Sequence, residues 1–400
     1  MAVEFTGQPV EAGTQACRLE AVWDGAQVVE ARLVAGRPVA AAPAWIGATP
    51  DEALAMLAQS PEMLASGPHA HCLAARAACV AAGANIVRPD GAREERAIAI
   101  ETAQAHIRRL MIDWPALFGH EPRRDRFGIL HRRLGRVLTE DAPAQDEAAF
   151  RLGGELLDLV AIEMLSGFFR SVREPHRLQE FVECAERGGN IGAALADLIR
   201  MGSSVAPADA VALLPPTPAS EWAERISTMS AATLAAFAAC PEVDGATRET
   251  GALARHAERG LIGKLLLHGH RVAARLFARV VDLADTASRL RHPLAEDMPA
   301  LIDAAACGDA TGLACVETAT GTLIHVLRLD GGRVADHVIV PPAAWNGHPR
   351  GALMCEAAGW QAPDRRTAEL RLRALALSLD PCGQIGVVLT DCGTAESGGA

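Results

Sequence analysis

The chain has 400 residues, of which half are apolar and 22% are charged, a balance typical of a globular protein with a large core. Its formal net charge of −11 argues against nucleic acid as a partner, because phosphate binding needs a basic surface. No apolar run reaches the roughly 18–20 residues that span a bilayer. The N-terminus also lacks the basic start and apolar core of a signal peptide. These features predict a soluble, cytoplasmic protein.

The first predicted elements are a β-hairpin and a helix. Between residues 16 and 34, apolar residues alternate with polar ones on both sides of Asp24-Gly25, which is a tight-turn signal. A helix is then predicted to begin at Thr49, because a capping hydroxyl there precedes Pro50 and two acidic residues.

An alanine-rich helix is predicted to follow Gly67-Pro68, with His69, His71 and Cys72 at or near its N-terminus. The amide dipoles at that end favour a thiolate, so the position predicts a lowered pKa for Cys72. Two histidines and a cysteine within four residues also form a possible metal cluster. The alternative is a buried cysteine with histidines at a polar helix start.

The middle of the chain carries apolar residues at three- and four-residue spacing, which predicts helices. These helices are expected near residues 94–118, 125–139, 146–172, 174–201, 219–239, 261–287 and 293–307.

The last quarter of the chain changes character. Strands are predicted at 315–317, 323–329 and 334–340, and Asp330-Gly331-Gly332 forms the turn between the last two. Two final helices follow.

The last helix is predicted to stop near Asp380, because Pro381 cannot sit inside a helix and restricts the residue before it. Cys382 is then placed just past the helix end, on a stiff exit that aims its sulfur at a fixed point.

Hairpins near both ends and a helical middle predict one integrated α+β domain over residues 1–400, whose ends come together. Its parts are an N-terminal hairpin at 15–35, a helical body at 50–310, a β-hairpin with its loop at 312–350, and C-terminal helices with the cysteine loop at 351–392.

Several stretches resemble, in the same order, the large subunit of nickel–iron hydrogenases. The most specific begins at Val316: VETATGTLIH is similar to the family pattern VEAPRG-x-L-x-H, and VPPAAWNGHPR is similar to V-x-PTTWN-x-x-PRD. PEVDGATRETGALAR resembles the pattern P-x-Y-x-G…GPLAR, and LDPC resembles the ending FDPC-x-x-C. The resemblance covers nearly the whole chain and implies the large-subunit fold, a mostly helical α+β core with small antiparallel sheets.

That family holds nickel and iron with two Cys-x-x-Cys motifs, one near each end of the chain. Here only Cys72 and Cys382 match, while His69 and Ile385 occupy the places of the other two cysteines. Thr320 stands where the family has the arginine that overhangs the metals. Four thiolates make a soft site that can hold nickel beside iron, and two do not. The departures therefore predict that the chain binds no nickel and is not an active hydrogenase.

The chain resembles instead the HupK/HoxV type of hydrogenase accessory protein. The resemblance implies a non-catalytic scaffold that transiently holds or assembles an iron unit with cyanide and carbonyl ligands between Cys72 and Cys382. His69 and His71 would have a supporting or a purely local role. Asp380 would cap or turn the chain, or support the site from behind the metal ligands. The implied partners are a small chaperone of the HypC type, a HypD-type protein and the hydrogenase large-subunit precursor. The alternative is a metal-free protein that only docks maturation partners.

Overall fold

The computed structural model describes residues 17–34, 45–60, 67–139, 142–165, 178–187, 189–381 and 385–392. Within these residues, no helix combines the length and hydropathy that crossing a membrane requires. The helices are α1 Pro50–Ala58, α2 Pro68–Ala81, α3 Gly91–Arg108, α4 Trp114–Leu117, α5 Arg124–Val137, α6 Ala142–Asp158, α7 Leu178–Glu186, α8 Gly189–Arg200, α9 Ala219–Ser227, α10 Ala231–Ala239, α11 Ala252–His256, α12 Gly260–Leu267, α13 Arg271–Arg291, α14 Pro342–Asn346, α15 Ala352–Ala357 and α16 Arg365–Leu379.

The described strands form three small sheets, with strand orders β2-β1-β9, β3-β4 and β5-β6-β7-β8. The predicted α+β class is confirmed. The strands are β1 Cys17–Trp23, β2 Val28–Val34, β3 Ala212–Leu213, β4 Arg248–Glu249, β5 Ile302–Ala306, β6 Thr311–Thr318, β7 Gly321–Asp330, β8 Arg333–Val340 and β9 Ile385–Asp391.

The first sheet joins the two ends of the described chain. The predicted N-terminal hairpin is confirmed as β1 and β2, which pair antiparallel. Strand β9 was not predicted. It pairs with β1 in parallel register, with Cys17 opposite Ile385. The second position of the incomplete C-terminal cysteine motif therefore lies in a sheet.

The four-stranded sheet contains the predicted hairpin of β7 and β8, with its turn at Gly331-Gly332. The helix predicted near residues 293–307 is wrong, because Ile302–Ala306 forms strand β5 antiparallel to β6. The small alanine side chains of this stretch fit a strand at the sheet edge, and pairing with β6 outweighs their helix propensity.

The long stretches predicted as helices in the middle of the chain are helical, but some of them are interrupted. The stretch predicted at 219–239 breaks at Ser230, whose side chain caps α10. The described part of the stretch at 174–201 contains α7 and α8, and residues 166–177 of the predicted helices at 146–172 and 174–201 lie outside the described residues. Two π-helical turns, Arg109–Asp113 and Leu159–Met164, continue α3 and α6. The predicted capping of α1 is confirmed, since Thr49 and Glu52 form a capping box.

Helix α13 runs through the largest hydrophobic cluster and packs against α3, α6 and α11. A second cluster joins α2 to β6 and β7. A third surrounds Trp222, Phe237 and Trp345, whose rings contact one another. Helix α2 thus carries the Cys72 segment that the sequence singled out.

Candidate metal-handling site

Helix α2 begins after Gly67 and carries Cys72 in its first turns. The backbone at Gly67 is left-handed, with φ of 119°, which glycine adopts without strain. Glu101 of α3 caps this helix: its Oε2 accepts the backbone N–H of His69 at 2.8 Å and that of Ala70 at 3.2 Å. A carboxylate is favourable here because the first amides of a helix have no partner within it.

Cys72 is half-buried, and its pKa is raised, which contradicts the prediction from its helix position. Burial is the main cause, the nearby Glu101 adds to it, and Arg76 opposes it in part. The helix-end amides are already occupied by Glu101, whose own pKa burial raises to about 7. Cys72 is therefore a thiol at neutral pH, and binding a metal would require it to release a proton.

His71 is buried and begins a chain of hydrogen bonds that leads to β8. Its Nδ1 lies 2.9 Å from Nε2 of His325, and Nδ1 of His325 lies 2.9 Å from Nε2 of His337. Trp45 donates its indole N–H to Nδ1 of His337 at 2.7 Å. The three histidines and the tryptophan therefore form one continuous buried chain.

The tryptophan fixes where the protons of this chain lie, because an indole N–H only donates. Burial lowers the pKa of His71 and His337 to about 4 and that of His325 well below its usual value, so the rings are neutral at pH 7. Each ring then accepts at Nδ1 and carries its proton on Nε2. Nδ1 of His71 is thereby occupied, and Nε2 is its donor.

The predicted cluster of His69, His71 and Cys72 is not assembled as a metal site. Within the ranges that the structure describes, no group of three or more histidine, cysteine, aspartate or glutamate side chains is placed to hold a metal ion. The side chain of His69 is exposed, and its backbone N–H donates a hydrogen bond to Glu101.

At the other predicted half of the site, α16 ends at Leu379, as the position of Pro381 predicted. Asp380 caps the helix with a left-handed backbone, φ 50°. Its carboxylate is buried and accepts two hydrogen bonds from Arg109, at 2.9 and 2.6 Å. Arg109 lies in a π-helical turn, a feature frequent at functional sites. Cys382 lies outside the described residues.

Asn346 joins the helix end to the turn between β6 and β7. Its Nδ2 donates to the carbonyl of Thr320 at 2.9 Å and to the carbonyl of Leu379 at 3.4 Å, and its Oδ1 accepts the amide of Thr250 at 3.1 Å. Three segments that resemble the large subunit therefore meet at one buried amide.

Helix α3 connects the two halves. Glu101 binds the start of α2, and Arg109, eight residues later, binds Asp380. At a rise of 1.5 Å per residue, the two anchor points are about 12 Å apart along the helix axis.

The buried arginines around Asp380 were not predicted as site residues. Arg271, Arg275 and Arg279 of α13 are spaced by four residues and share one buried face. Three arginines at this spacing in the otherwise apolar first half of α13 are the sequence signal that could have indicated a buried ionic face.

No protein-family model matches the chain. The chain is 32% identical over 162 residues to the hydrogenase expression/formation protein HupK of Bradyrhizobium diazoefficiens, covering 40% of this chain and 44% of that protein. It is 32% identical over 153 residues to HupK of Rhizobium leguminosarum bv. viciae, covering 37% of this chain and 40% of that protein. The matches thus span less than half the length of these relatives.

In structure, the chain is similar to the Ni-Fe-Se hydrogenase from D. vulgaris Hildenborough. The TM-score is 0.62 at 15% identity, covering 90% of this chain and 94% of that chain. The [NiFeSe]-hydrogenase of Dm. baculatum gives a TM-score of 0.56 at 14% identity, covering 90% and 94%. Likeness at this identity concerns the fold alone. The resemblance inferred from the sequence is confirmed: the chain has the large-subunit fold and is similar in sequence to HupK proteins.

Proposed function

We propose that this protein takes part in hydrogenase maturation and transiently holds an iron–dicyanide–carbonyl unit between Cys72 and Cys382 before passing it to the hydrogenase large subunit. The role in hydrogenase maturation is supported by the relatives, which are named hydrogenase expression/formation proteins. In this proposal the chain is a scaffold and not an enzyme, and it binds no nickel.

The observation that carries the proposal is that the segments similar to the hydrogenase large subunit lie next to one another in the fold. Asn346 links the carbonyls of Thr320 and Leu379. Helix α3 binds the start of the Cys72 helix, and the π-helical turn that continues α3 binds Asp380. A low-spin iron with strong-field ligands suits thiolate ligands. The half-buried thiol of Cys72, placed on the same framework as the helix end before Cys382, offers this donor chemistry.

The raised pKa of Cys72 suits transient binding of the iron unit better than permanent binding. Loading must displace the thiol proton, which lowers the affinity at neutral pH. Two protein thiolates also bind more weakly than four, since affinity follows ligand number and type. Both features favour release of the unit to a protein with a complete set of thiolates.

The proposed partners follow from the incomplete ligand set. A small chaperone of the HypC type, which brings its own cysteine, would complete the coordination together with a HypD-type protein. The hydrogenase large-subunit precursor would receive the unit.

A second candidate function is metal-free docking of these maturation partners. The observation that favours it is the protonated, half-buried state of Cys72. In that case the large-subunit fold would act only as a binding surface.

The experiment is to purify the chain anaerobically with its partners and to record infrared spectra in the cyanide and carbonyl stretching region. Bands that are lost in Cys72→Ala and in Cys382→Ala support the scaffold. Cys79→Ala is the matched control, because Cys79 is a buried cysteine of the same helix. Absence of bands with partner binding intact would leave the docking function, and hydrogen uptake with viologen dyes would contradict both.

A further inference from the structure

Helix α5 is strongly basic, although the chain as a whole is acidic. Between residues 123 and 136 the sequence has six arginines and one acidic residue, Asp125, whereas the net charge of the chain is −11. Asp125 lies in the first turn of α5, where the helix dipole favours a carboxylate. The rest of the helix therefore adds positive charge to a protein whose overall field is negative.

Three of these arginines are already paired. Their partners are carboxylates of α6 and of the π-helical turn that continues it, at 2.6 to 3.2 Å, and the pairs are Arg123–Glu163, Arg126–Glu163 and Arg133–Glu155. These pairs join α5 to its neighbour within the fold.

The other three arginines of α5 have no such partner. Arg124, Arg132 and Arg136 are exposed, and none of them forms an ion pair among the described residues. They are spaced by multiples of four residues, so they lie along one side of the helix and span about 18 Å. We call these three residues the basic face.

The histidine next to the basic face responds to this positive charge. Desolvation lowers the pKa of His131, and the charges of Arg108 and Arg132 lower it further. Arg108, at the end of α3, is half-exposed and lies 4.0 Å from its nearest carboxylate, that of Asp113. The guanidinium charges in this region are therefore not neutralised by the fold.

A glycine interrupts the basic face. Gly128 lies between Arg124 and Arg132, and the described residues give an added Cβ atom one neighbour within 4 Å, Nη1 of Arg132. Glycine inside a helix costs about 1 kcal/mol relative to alanine, and no other described element packs closely enough to require it here. The missing side chain leaves room for a partner to approach the helix between the arginines.

The charge and burial of α5 favour a protein over other polyanions. The net charge of −11 repels nucleic acid at long range. A helix that enters a membrane surface needs a free apolar side, but Leu130, Leu134 and Val137 of α5 are buried in the core. A protein surface with a few carboxylates fits the three unpaired arginines, because arginine binds carboxylates in a bidentate geometry.

We infer that the basic face of α5 is the docking surface for an acidic protein, whose carboxylates pair with Arg124, Arg132 and Arg136. The inference rests on the proposed function for the place of this partner, which is one of the maturation proteins. Helix α5 packs against α3, and Nε2 of Gln104 donates to the carbonyl of His131 at 2.9 Å. The partner would thus bind beside the helix that connects the two halves of the candidate site.

The test compares two triple variants of the full chain that lose the same charge. Arg124→Gln/Arg132→Gln/Arg136→Gln removes the basic face, and Arg93→Gln/Arg328→Gln/Arg366→Gln removes three exposed arginines elsewhere. Biolayer interferometry measures the association rates of the purified HypC-type chaperone, HypD-type protein and large-subunit precursor.

Association of one partner should slow about tenfold or more in the first variant at low salt, because complementary charges steer the encounter. The difference should disappear at about 1 M salt, where the Debye length is about 3 Å. The second variant should slow association by less than about twofold. Equal rates in the two variants would overturn the inference. Absent cyanide bands together with face-dependent binding would contradict the iron scaffold and support this docking surface.

If none of the partners binds the wild-type chain, the docking step of the proposed function fails, and a helical peptide with glutamate at every fourth position is the probe. Saturable binding that is weakened only in the first variant supports an acidic docking surface, and equal or absent binding overturns it. A wild-type dimer that only the first variant dissociates would assign the face to a second copy of the chain. Binding to phosphatidylserine vesicles or duplex DNA that only the first variant loses would assign it to another polyanion. Either result overturns the inference.

Discussion

The two halves of the candidate site are held by different kinds of interaction. Around the start of α2, buried polar groups are neutral: a donor-only indole orders three uncharged imidazoles. Around the end of α16, buried polar groups are ionised, and carboxylates are matched to arginines of α13 and the π-helical turn. The first half fixes proton positions, and the second fixes charges.

This difference predicts how each half responds to damage. Removing one member of a neutral chain leaves an unmet hydrogen bond, whereas removing one member of an ion pair leaves an unpaired buried charge. The charged half should therefore be the more sensitive, although both are tied to the same helix.

The largest effect is expected for Asp380→Ala, which leaves Arg109 without its bidentate partner. Breaking a buried ion pair from one side typically costs about 3–5 kcal/mol. Because Arg109 keeps its bond to Asp113, the free energy of unfolding in urea should fall by about 3 kcal/mol, the lower end of that range. The control is Asp391→Ala, which removes an exposed pair with Arg365 and should change stability by less than about 0.5 kcal/mol. Equal losses in the two variants would contradict the assigned difference.

The second effect concerns Glu101, whose pKa in the folded protein is about 7, against 4.5 for an unperturbed glutamate. The folded protein therefore holds this proton more tightly than the unfolded chain does. The contribution of Glu101 to the free energy of unfolding should be greatest below pH 4.5 and fall by about 2–3 kcal/mol as the pH rises to 7. Glu101→Gln should flatten this fall, measured by urea unfolding across that pH range. A profile identical to the wild type would show that Glu101 is not the group responsible.

A smaller effect is expected for Trp45→Phe. Losing one buried hydrogen bond costs about 1 kcal/mol, and His337 loses the donor that fixes its tautomer. Nitrogen-15 spectra should then show mixed tautomers at His337, His325 and His71. Trp222→Phe serves as the control, because the indole N–H of Trp222 is buried without a partner. A single, unchanged tautomer in Trp45→Phe would refute the ordering role.

The smallest effect is expected for His69→Ala. The side chain is exposed, and the backbone N–H that binds Glu101 is retained. The free energy of unfolding should change by less than about 0.5 kcal/mol. A larger loss would mean that the imidazole itself stabilises the start of α2.

Much of the local structure could be predicted from the sequence, because its signals are local. Asp24-Gly25 marks the first hairpin, Thr49 and Glu52 mark a helix start, and Pro381 marks a helix end. Each depends on residues a few positions apart, whose backbone preferences decide the outcome without help from the rest of the chain.

The predictions failed where distant residues decide. Strand β5 was predicted as a helix, because its alanines carry helix propensity and its pairing with β6 is not visible locally. The bond between Arg109 and Asp380 joins residues 271 positions apart. Likewise, the pKa of Cys72 depends on Glu101, which comes from another helix. A helix dipole alone gave the wrong direction for that thiol.

The pairing of β1 with β9 has a consequence for biosynthesis. Strand β1 leaves the ribosome among the first described elements, and its partner β9 is the last of them. Domains tend to fold as their chain emerges, but contacts this distant in sequence must wait for the whole chain. The helix end at Asp380 precedes β9 by only a few residues, so it too is completed last. A ribosome paused before β9 has emerged would carry a nearly folded protein whose candidate site is still open.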